Sequence, residues 1–141
     1  MKKLLIRAED KNRWERRAPV VPADLAAVLR ETGAQAFVED SDKRFFTREQ
    51  YAQAGAASCQ GMNDGDVILG VKEIPIEKLL DNKTYVFFSH TIKGQKDNMP
   101  LLKRIMDSGS TLIDYEKITD EKERRLIYFG PYAGHAGAID I

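Results

Sequence analysis

Short runs of apolar residues recur along the chain, and segments with helical periodicity separate them. The apolar runs predict strands over residues 4–6, 36–38, 67–71, 85–89, 111–113 and 126–129. The periodic segments predict helices over residues 23–32, 47–54, 97–108 and 132–141, with one or two helical turns over 76–80. Because strands and helices alternate, the pattern indicates a single α/β domain. We expect a Rossmann-like (flavodoxin-like), mostly parallel sheet with helices on both faces.

Two ionisable residues follow neighbouring predicted strands. Lys72 comes directly after the strand over 67–71, and His90 comes directly after the strand over 85–89. In an open α/β sheet, ligands bind at the carboxyl ends of the strands. Parallel strands would bring the lysine and the histidine to the same edge. Both side chains can exchange protons, so we interpret them as a candidate acid/base pair.

The composition limits the kinds of partner that the protein can have. The 141 residues include 22 Lys+Arg and 22 Asp+Glu, so the net charge is zero, and we expect neither nucleic acid nor a membrane as partner. No apolar run approaches the roughly 20 residues that a membrane span needs. The single cysteine, Cys59, cannot form a disulfide within the chain, which favours a reducing cytoplasm. The sequence has no cluster with metal-ligand spacing, so we expect no metal.

Five segments of the chain resemble one known family. In order, they are ERRAPVVP, ILGVKEIP, FFSHTIKGQ, LIDYEKI and FGPYAGHAGAIDI. Together they resemble the amino-terminal domain of the alanine dehydrogenase, transhydrogenase and saccharopine dehydrogenase superfamily. HTIKGQ and RRAP-x-x-P resemble lysine–2-oxoglutarate reductase, the lysine-forming type of saccharopine dehydrogenase, more than alanine dehydrogenase. The resemblance covers essentially the whole chain.

The resemblance implies an oxidoreductase of lysine metabolism with two domains. Residues 1–141 would be its amino-terminal, substrate-binding catalytic domain. A Rossmann-type domain, absent from this chain, would bind NAD or NADP and would be supplied in cis or in trans. The implied reaction is the condensation of lysine with 2-oxoglutarate and its reduction to saccharopine, or the reverse. We therefore expect amino and keto acids as ligands and no activity of the isolated chain, and we leave homo-oligomerisation open.

The resemblance also implies roles for particular residues. Lys72 and His90 match the acid/base residues of the family. Glu73 and Glu116 match two carboxylates that lie beside this pair and tune its pKa values. Saccharopine carries three carboxylates, and a site for it needs several cations. The candidate cations are Arg17, Lys93 and Arg125, with Arg124 as the alternative to Arg125.

A glycine-rich segment near the end of the chain invites interpretation as a dinucleotide-binding loop. Gly130, Gly134 and Gly137 are spaced G-x-x-x-G-x-x-G, whereas the dinucleotide motif is G-x-G-x-x-G. We therefore reject a dinucleotide-binding function for this segment. Its small residues favour close packing against a further domain, and we expect the chain to be the first domain of a longer protein.

Two alternative functions stay open at this point. An alanine dehydrogenase-like domain would bind pyruvate, and an arginine and a lysine are enough for that ligand. A free-standing domain would instead be a non-catalytic carboxylate-binding module, although such a module would not need Lys72 and His90 together. The sequence gives neither the direction of the reaction nor the choice between NAD and NADP.

Overall fold

The computed structural model describes residues 2–139, and this part of the chain contains six strands and four α-helices. The strands are β1 (Lys3–Ile6), β2 (Gln35–Glu39), β3 (Ala56–Cys59), β4 (Val67–Leu69), β5 (Thr84–Phe87) and β6 (Thr111–Asp114). The helices are α1 (Pro22–Thr32), α2 (Arg48–Gln53), α3 (Met99–Asp107) and α4 (Gly130–Ile139). Short 3-10 turns cover Met62–Asp64, Ile76–Lys78, Lys96–Asn98 and Tyr115–Lys117.

The strands form one sheet in the order β3-β2-β1-β4-β5-β6, and every neighbouring pair is parallel. This is the strand order of the doubly wound Rossmann fold. The chain builds outward from β1 to β3, returns to the centre, and builds outward again from β4 to β6. The order therefore reverses between β1 and β4, and ligands of such sheets bind outside the carboxyl ends of the strands at that reversal. The predicted Rossmann-like fold class is confirmed.

Side chains alternate along each strand and feed two hydrophobic clusters, one on each face of the sheet. One cluster contains Leu5 of β1 together with Leu101 of α3. The other contains the next residue of β1, Ile6, together with Leu25 of α1 and Tyr51 of α2. Helices therefore cover both faces, as predicted, and the carboxyl edge between the two layers is left for the site.

Local sequence signals explain where the helices begin and end. Thr47 accepts a hydrogen bond from the N–H of Gln50, whose side chain accepts one from the N–H of Thr47, so α2 begins with a capping box. Gly33 ends α1 with a φ of 66°. Pro100 lies in the first turn of α3, where its missing N–H costs nothing. Helix α4 begins at Gly130, slightly before the predicted start, and positions 140 and 141 lie outside the described residues.

The strand prediction over residues 126–129 is wrong. In the described part of the chain this segment joins no sheet, and one isolated antiparallel bridge between Thr119 and Arg125 precedes it. The residues between β6 and this segment, 115–125, are too few for the crossover of a dozen or more that another parallel strand needs. Leu126 and Tyr128 are consequently exposed.

The sequence pattern also misses β3. Its residues, AASC, are small and lack the β-branched and aromatic side chains that indicate strands. The segment becomes a strand because it pairs with the edge of β2, a tertiary contact that local propensity does not report. Among residues 2–139, no helix is long and apolar enough to cross a membrane.

Candidate active site

The candidate site lies where β4 and β5 end, next to the reversal of strand order. Both strands are shorter than predicted, since β4 ends at Leu69 and β5 ends at Phe87. The N–H of Gly70 donates to the carbonyl of Val86 at 2.9 Å, and the N–H of Phe88 donates to the carbonyl of Val71 at 3.2 Å. These two backbone hydrogen bonds continue the pairing past the ends of β4 and β5. The two loops therefore leave the sheet side by side. Lys72 and His90, both half-buried, lie at this shared edge.

A carboxylate holds the imidazole of His90. Nδ1 of His90 lies 2.9 Å from Oε1 of Glu73, and Oε2 of Glu73 lies 3.8 Å from Nζ of Lys11. In the tautomer in which Nδ1 donates this hydrogen bond to the Glu73 carboxylate, Nε2 is the nitrogen that can exchange a proton with a ligand. The side chain of His90 is 34% exposed and that of Glu73 is 11% exposed, so the imidazole faces outward from a buried partner.

A second buried carboxylate, Glu9, holds the segment that carries Lys72. Glu9 follows β1 and is 5% exposed. Its Oε1 accepts the N–H of Val71 at 2.7 Å, and its Oε2 accepts the N–H of Lys72 at 3.1 Å. Burial raises the pKa of Glu9, although these two hydrogen bonds and the charge of Arg7 act in the opposite direction. Glu9 was not predicted from the sequence, because it lies three residues after the apolar run of β1, whereas Lys72 and His90 directly follow theirs.

Arg7 balances the charge of Glu9 inside the fold. Nη1 of buried Arg7 lies 3.5 Å from Oε2 of Glu9, and its Nη2 donates to Asp10. Asp10 is also bound by Lys78, at 2.6 Å. A Cβ at Gly70 would lie 3.1 Å from Cδ of Arg7 and 3.3 Å from Oε1 of Glu9. Glycine at this position therefore lets the buried ion pair approach the end of β4.

Arg17 is held by Glu15 and by an aromatic ring. Its Nε and Nη2 donate to the two oxygens of Glu15 at 2.7 and 2.6 Å, and its guanidinium carbon lies 4.7 Å from the centre of the Phe129 ring. Hydrogen bonds from Arg17 lower the pKa of Glu15 against the effect of burial, and the charge of Lys72 lowers it further. Glu15, which was not predicted as a site residue from the sequence, therefore pairs with Arg17 and lies within the influence of the Lys72 charge. The Arg17 side chain is 42% exposed, so a ligand can reach it.

Acidification should weaken the pair of Glu15 and Arg17 and destabilise the fold. The folded-state pKa of Glu15 is lowered, so its ionised form stabilises the fold above the ordinary glutamate pKa. This stabilisation is lost as the pH falls through the lowered pKa. We expect the urea midpoint of the wild-type chain to fall between about pH 5 and pH 3, and to fall less in Glu15→Gln. Glu31→Gln, at an exposed position of α1, is the matched control. Equal acid dependence of all three chains would contradict this assignment.

Arg125 forms an ion pair after β6. Its Nη2 lies 2.9 Å from Oε2 of Glu116, and both residues line a cavity of about 310 Å³ together with Ile92. The alternative arginine, Arg124, is bound differently, since its Nε donates to Asp120 at 2.7 Å. Arg125 rather than Arg124 is therefore the arginine that lines this cavity.

The two carboxylates predicted from the sequence contact different residues. Glu73 contacts His90, whereas Glu116 contacts Arg125. Lys93 is exposed in the turn that follows His90. Of the two carboxylates named from the sequence, one therefore lies against the acid/base pair and the other holds a cation. Cations and a side chain that can exchange protons are therefore accessible on the loops that follow the strands.

The fold and the site together define an α/β domain of the kind that binds small ligands at the reversal of a doubly wound sheet. A family model described as "Alanine dehydrogenase/PNT, N-terminal domain" matches residues 5–136. The chain belongs to this family and is an amino-acid dehydrogenase-family domain.

Named relatives and a solved structure agree with this family. The chain is 41% identical over 138 residues to the mitochondrial alpha-aminoadipic semialdehyde synthase of Rattus norvegicus, covering 98% of the chain and 15% of that protein. It is 33% identical over 141 residues to the saccharopine dehydrogenase (NAD(+), L-lysine-forming) of Yarrowia lipolytica, covering 96% and 38%. A solved L-alanine dehydrogenase shares the fold, with a TM-score of 0.69 at 20% identity over 86% of the chain and 34% of that structure.

The chain thus spans only a part of each of these longer proteins. The name of the rat relative places that protein in the mitochondrion. A cytoplasmic location of the present protein stays a prediction.

Proposed function

We propose that this domain binds the substrates of a lysine–2-oxoglutarate reductase, or saccharopine dehydrogenase, and supplies the acid/base groups of the reaction. The observation that carries the proposal is the contact of His90 with Glu73 at the carboxyl edge of the sheet, with Lys72 on the adjacent loop. The name of the Yarrowia lipolytica relative supports the substrate class, because it includes saccharopine and lysine.

Each candidate residue has a defined task in this proposal. The ε-amine of lysine must lose a proton before it adds to the keto carbon of 2-oxoglutarate, and the departing water must gain one. Lys72 and Nε2 of His90 exchange these protons. Arg17 and Arg125 hold substrate carboxylates with guanidinium N–H groups other than those that donate to Glu15 and Glu116. Lys93, exposed in the turn that follows His90, adds a third positive charge to the proposed site.

The chemistry that a bound nicotinamide cofactor would supply is the transfer of a hydride to the carbon of the C=N bond. The described residues do not fit a dinucleotide site of their own, because the glycine-rich segment lies in helix α4 and not in a loop between a strand and a helix. We therefore assign NAD or NADP to a nucleotide-binding domain, in cis or in trans. Tyr132 and Ile139 leave an exposed apolar surface on α4 that suits such a domain.

One coupled assay on the complete protein tests the proposed function. The oxidation of NADH or NADPH would be followed with lysine plus 2-oxoglutarate and, separately, with pyruvate plus ammonia. We expect the first substrate pair to give the higher kcat/KM. Faster turnover of pyruvate and ammonia would support an alanine dehydrogenase-like domain instead. Turnover of neither pair would leave a non-catalytic carboxylate-binding module.

The isolated chain should bind 2-oxoglutarate weakly, with a Kd on the order of 1 mM. Arg17→Ala should weaken this binding about tenfold or more, because a charged hydrogen-bonded contact contributes roughly 1.5–3 kcal/mol. Chemical-shift titration by NMR measures both constants. Arg30→Ala, in the last turn of α1, is the matched control and should bind as the wild type does. If Arg17→Ala also binds normally, Arg17 is not a carboxylate ligand.

A further inference from the structure

A buried carboxylate at the end of β6 receives hydrogen bonds from two different loops. Oδ2 of Asp114 accepts the N–H of Ser89 at 3.1 Å and also the hydroxyl of Ser89. Oδ1 of Asp114 accepts the N–H of Glu116 at 2.8 Å. Asp114 and Ser89 are both buried, so these contacts are shielded from water. One side chain therefore fixes the loop after β5 to the loop after β6.

The residue that follows Ser89 has an unusual backbone. His90 has a φ of 54°, in the left-handed region that non-glycine residues rarely adopt. Such a conformation persists where the surroundings over-determine it, and it concentrates at functional sites. His90 therefore needs neighbours that hold its backbone on both sides.

Hydrogen bonds on both sides of His90 lead to Asp114. Before His90, the N–H and the hydroxyl of Ser89 donate to the carboxylate. After His90, the N–H of Thr91 donates to the hydroxyl oxygen of Ser89 at 3.2 Å, and the two hydroxyl oxygens lie 2.7 Å apart. The amide of Asn98 donates to the carbonyl of His90 at 3.4 Å. The strained residue is thus enclosed by a network whose buried anchor is one carboxylate.

We propose that Asp114, acting through Ser89, is a positioning residue that holds His90 in the conformation in which Nδ1 meets Glu73. A carboxylate suits this position because both of its oxygens accept hydrogen bonds. Three donors converge on Asp114. An asparagine would turn an NH₂ group toward at least one of these donors. The inference rests on the proposed acid/base function of His90, but its conformational part can be tested separately.

Long-range ¹H–¹⁵N NMR of the histidine rings in the chain tests the conformational part. In the wild type, His90 should be the tautomer with the proton on Nδ1, bound to Glu73. Asp114→Asn should convert most of this signal to the Nε2–H tautomer that a free imidazole prefers. Ser89→Ala should cause a smaller change in the same direction. His135, the other histidine, lies exposed on α4 and is an internal reference that should stay unchanged.

Asp107→Asn, an exposed aspartate at the end of α3, is the matched control and should leave both histidines as in the wild type. A merely structural cap at β6 predicts lower stability of Asp114→Asn with an unchanged His90 tautomer. That result, in a folded Asp114→Asn chain, would overturn the inference. If Asp114→Asn does not fold, Ser89→Ala tests the proposal, because it removes one hydroxyl and keeps the carboxylate. An unchanged His90 signal in Ser89→Ala would then refute the proposal.

Kinetics of the complete protein separate this inference from the proposed function. Asp114→Asn should lower kcat by about 10- to 100-fold with little change in KM, because a displaced acid/base group affects the chemical step. If Asp114→Asn loses the Nδ1–H tautomer of His90 but turns over normally, Asp114 is a positioning residue and His90 is not an acid/base residue. A retained tautomer would reject the positioning role whatever the rate.

Discussion

Replacing Lys72 by methionine in the complete protein should lower kcat by roughly 10²- to 10⁴-fold, the usual contribution of a general acid/base group. Methionine keeps the apolar stem but cannot exchange a proton, so the loss falls on the chemical step. KM for 2-oxoglutarate should change only a few-fold. The backbone N–H of Lys72 stays bound to Glu9, so the substitution leaves the loop in place. Steady-state rates with both substrates varied measure the effect.

A matched lysine gives the control for this experiment. Lys103 lies exposed on α3 and pairs with Asp107 on the same helix, so Lys103→Met should turn over as the wild type does. A Lys72→Met protein with normal kcat and a raised KM would make Lys72 a substrate-binding cation. Equal loss in both variants would point to a general effect of removing positive charge.

The position of the acid/base pair could be predicted from sequence because it depends on strand ends. Two apolar runs, each followed by an ionisable residue, are enough to place Lys72 and His90 at one edge once the sheet is parallel. Helix caps are equally local, since the capping box of α2 lies within four consecutive residues. Structural features that depend on residues close together in the sequence can therefore be predicted from the sequence.

The supporting residues could not be predicted because their partners are distant in sequence. Glu9 accepts the N–H of Val71 across a separation of 62 residues, and Asp114 accepts that of Ser89 across 25. In the sequence, Glu9 and Asp10 look alike as part of one charged segment. Their burial differs because the carboxylate of Glu9 turns inward to the N–H groups that follow β4. The strand prediction for residues 126–129 is wrong for a related reason, because local apolarity does not reveal whether a neighbouring strand is available for pairing.

The substitution Glu9→Met should destabilise the isolated chain by about 3–5 kcal/mol, because it breaks a buried ion pair and leaves two backbone N–H groups without an acceptor. Arg7 then keeps Asp10 as a partner but loses Glu9, and the N–H groups of Val71 and Lys72 lose their acceptor. This loss is a large part of the roughly 5–15 kcal/mol that stabilises a domain. Urea denaturation measures it, and Glu31→Met on the surface of α1 should change stability by less than about 0.5 kcal/mol.

A double variant shows which part of the effect comes from charge. Arg7→Met combined with Glu9→Met removes both buried charges and should recover part of the lost stability, because apolar side chains can replace a buried ion pair. Recovery should remain incomplete by about 1–3 kcal/mol, since the two N–H groups of the Lys72 loop still lack an acceptor. Full recovery of stability would mean that Glu9 stabilises the fold only by neutralising the charge of Arg7. A double variant no more stable than Glu9→Met would instead assign the whole effect to the backbone of the loop, which is the part of the molecule that places Lys72.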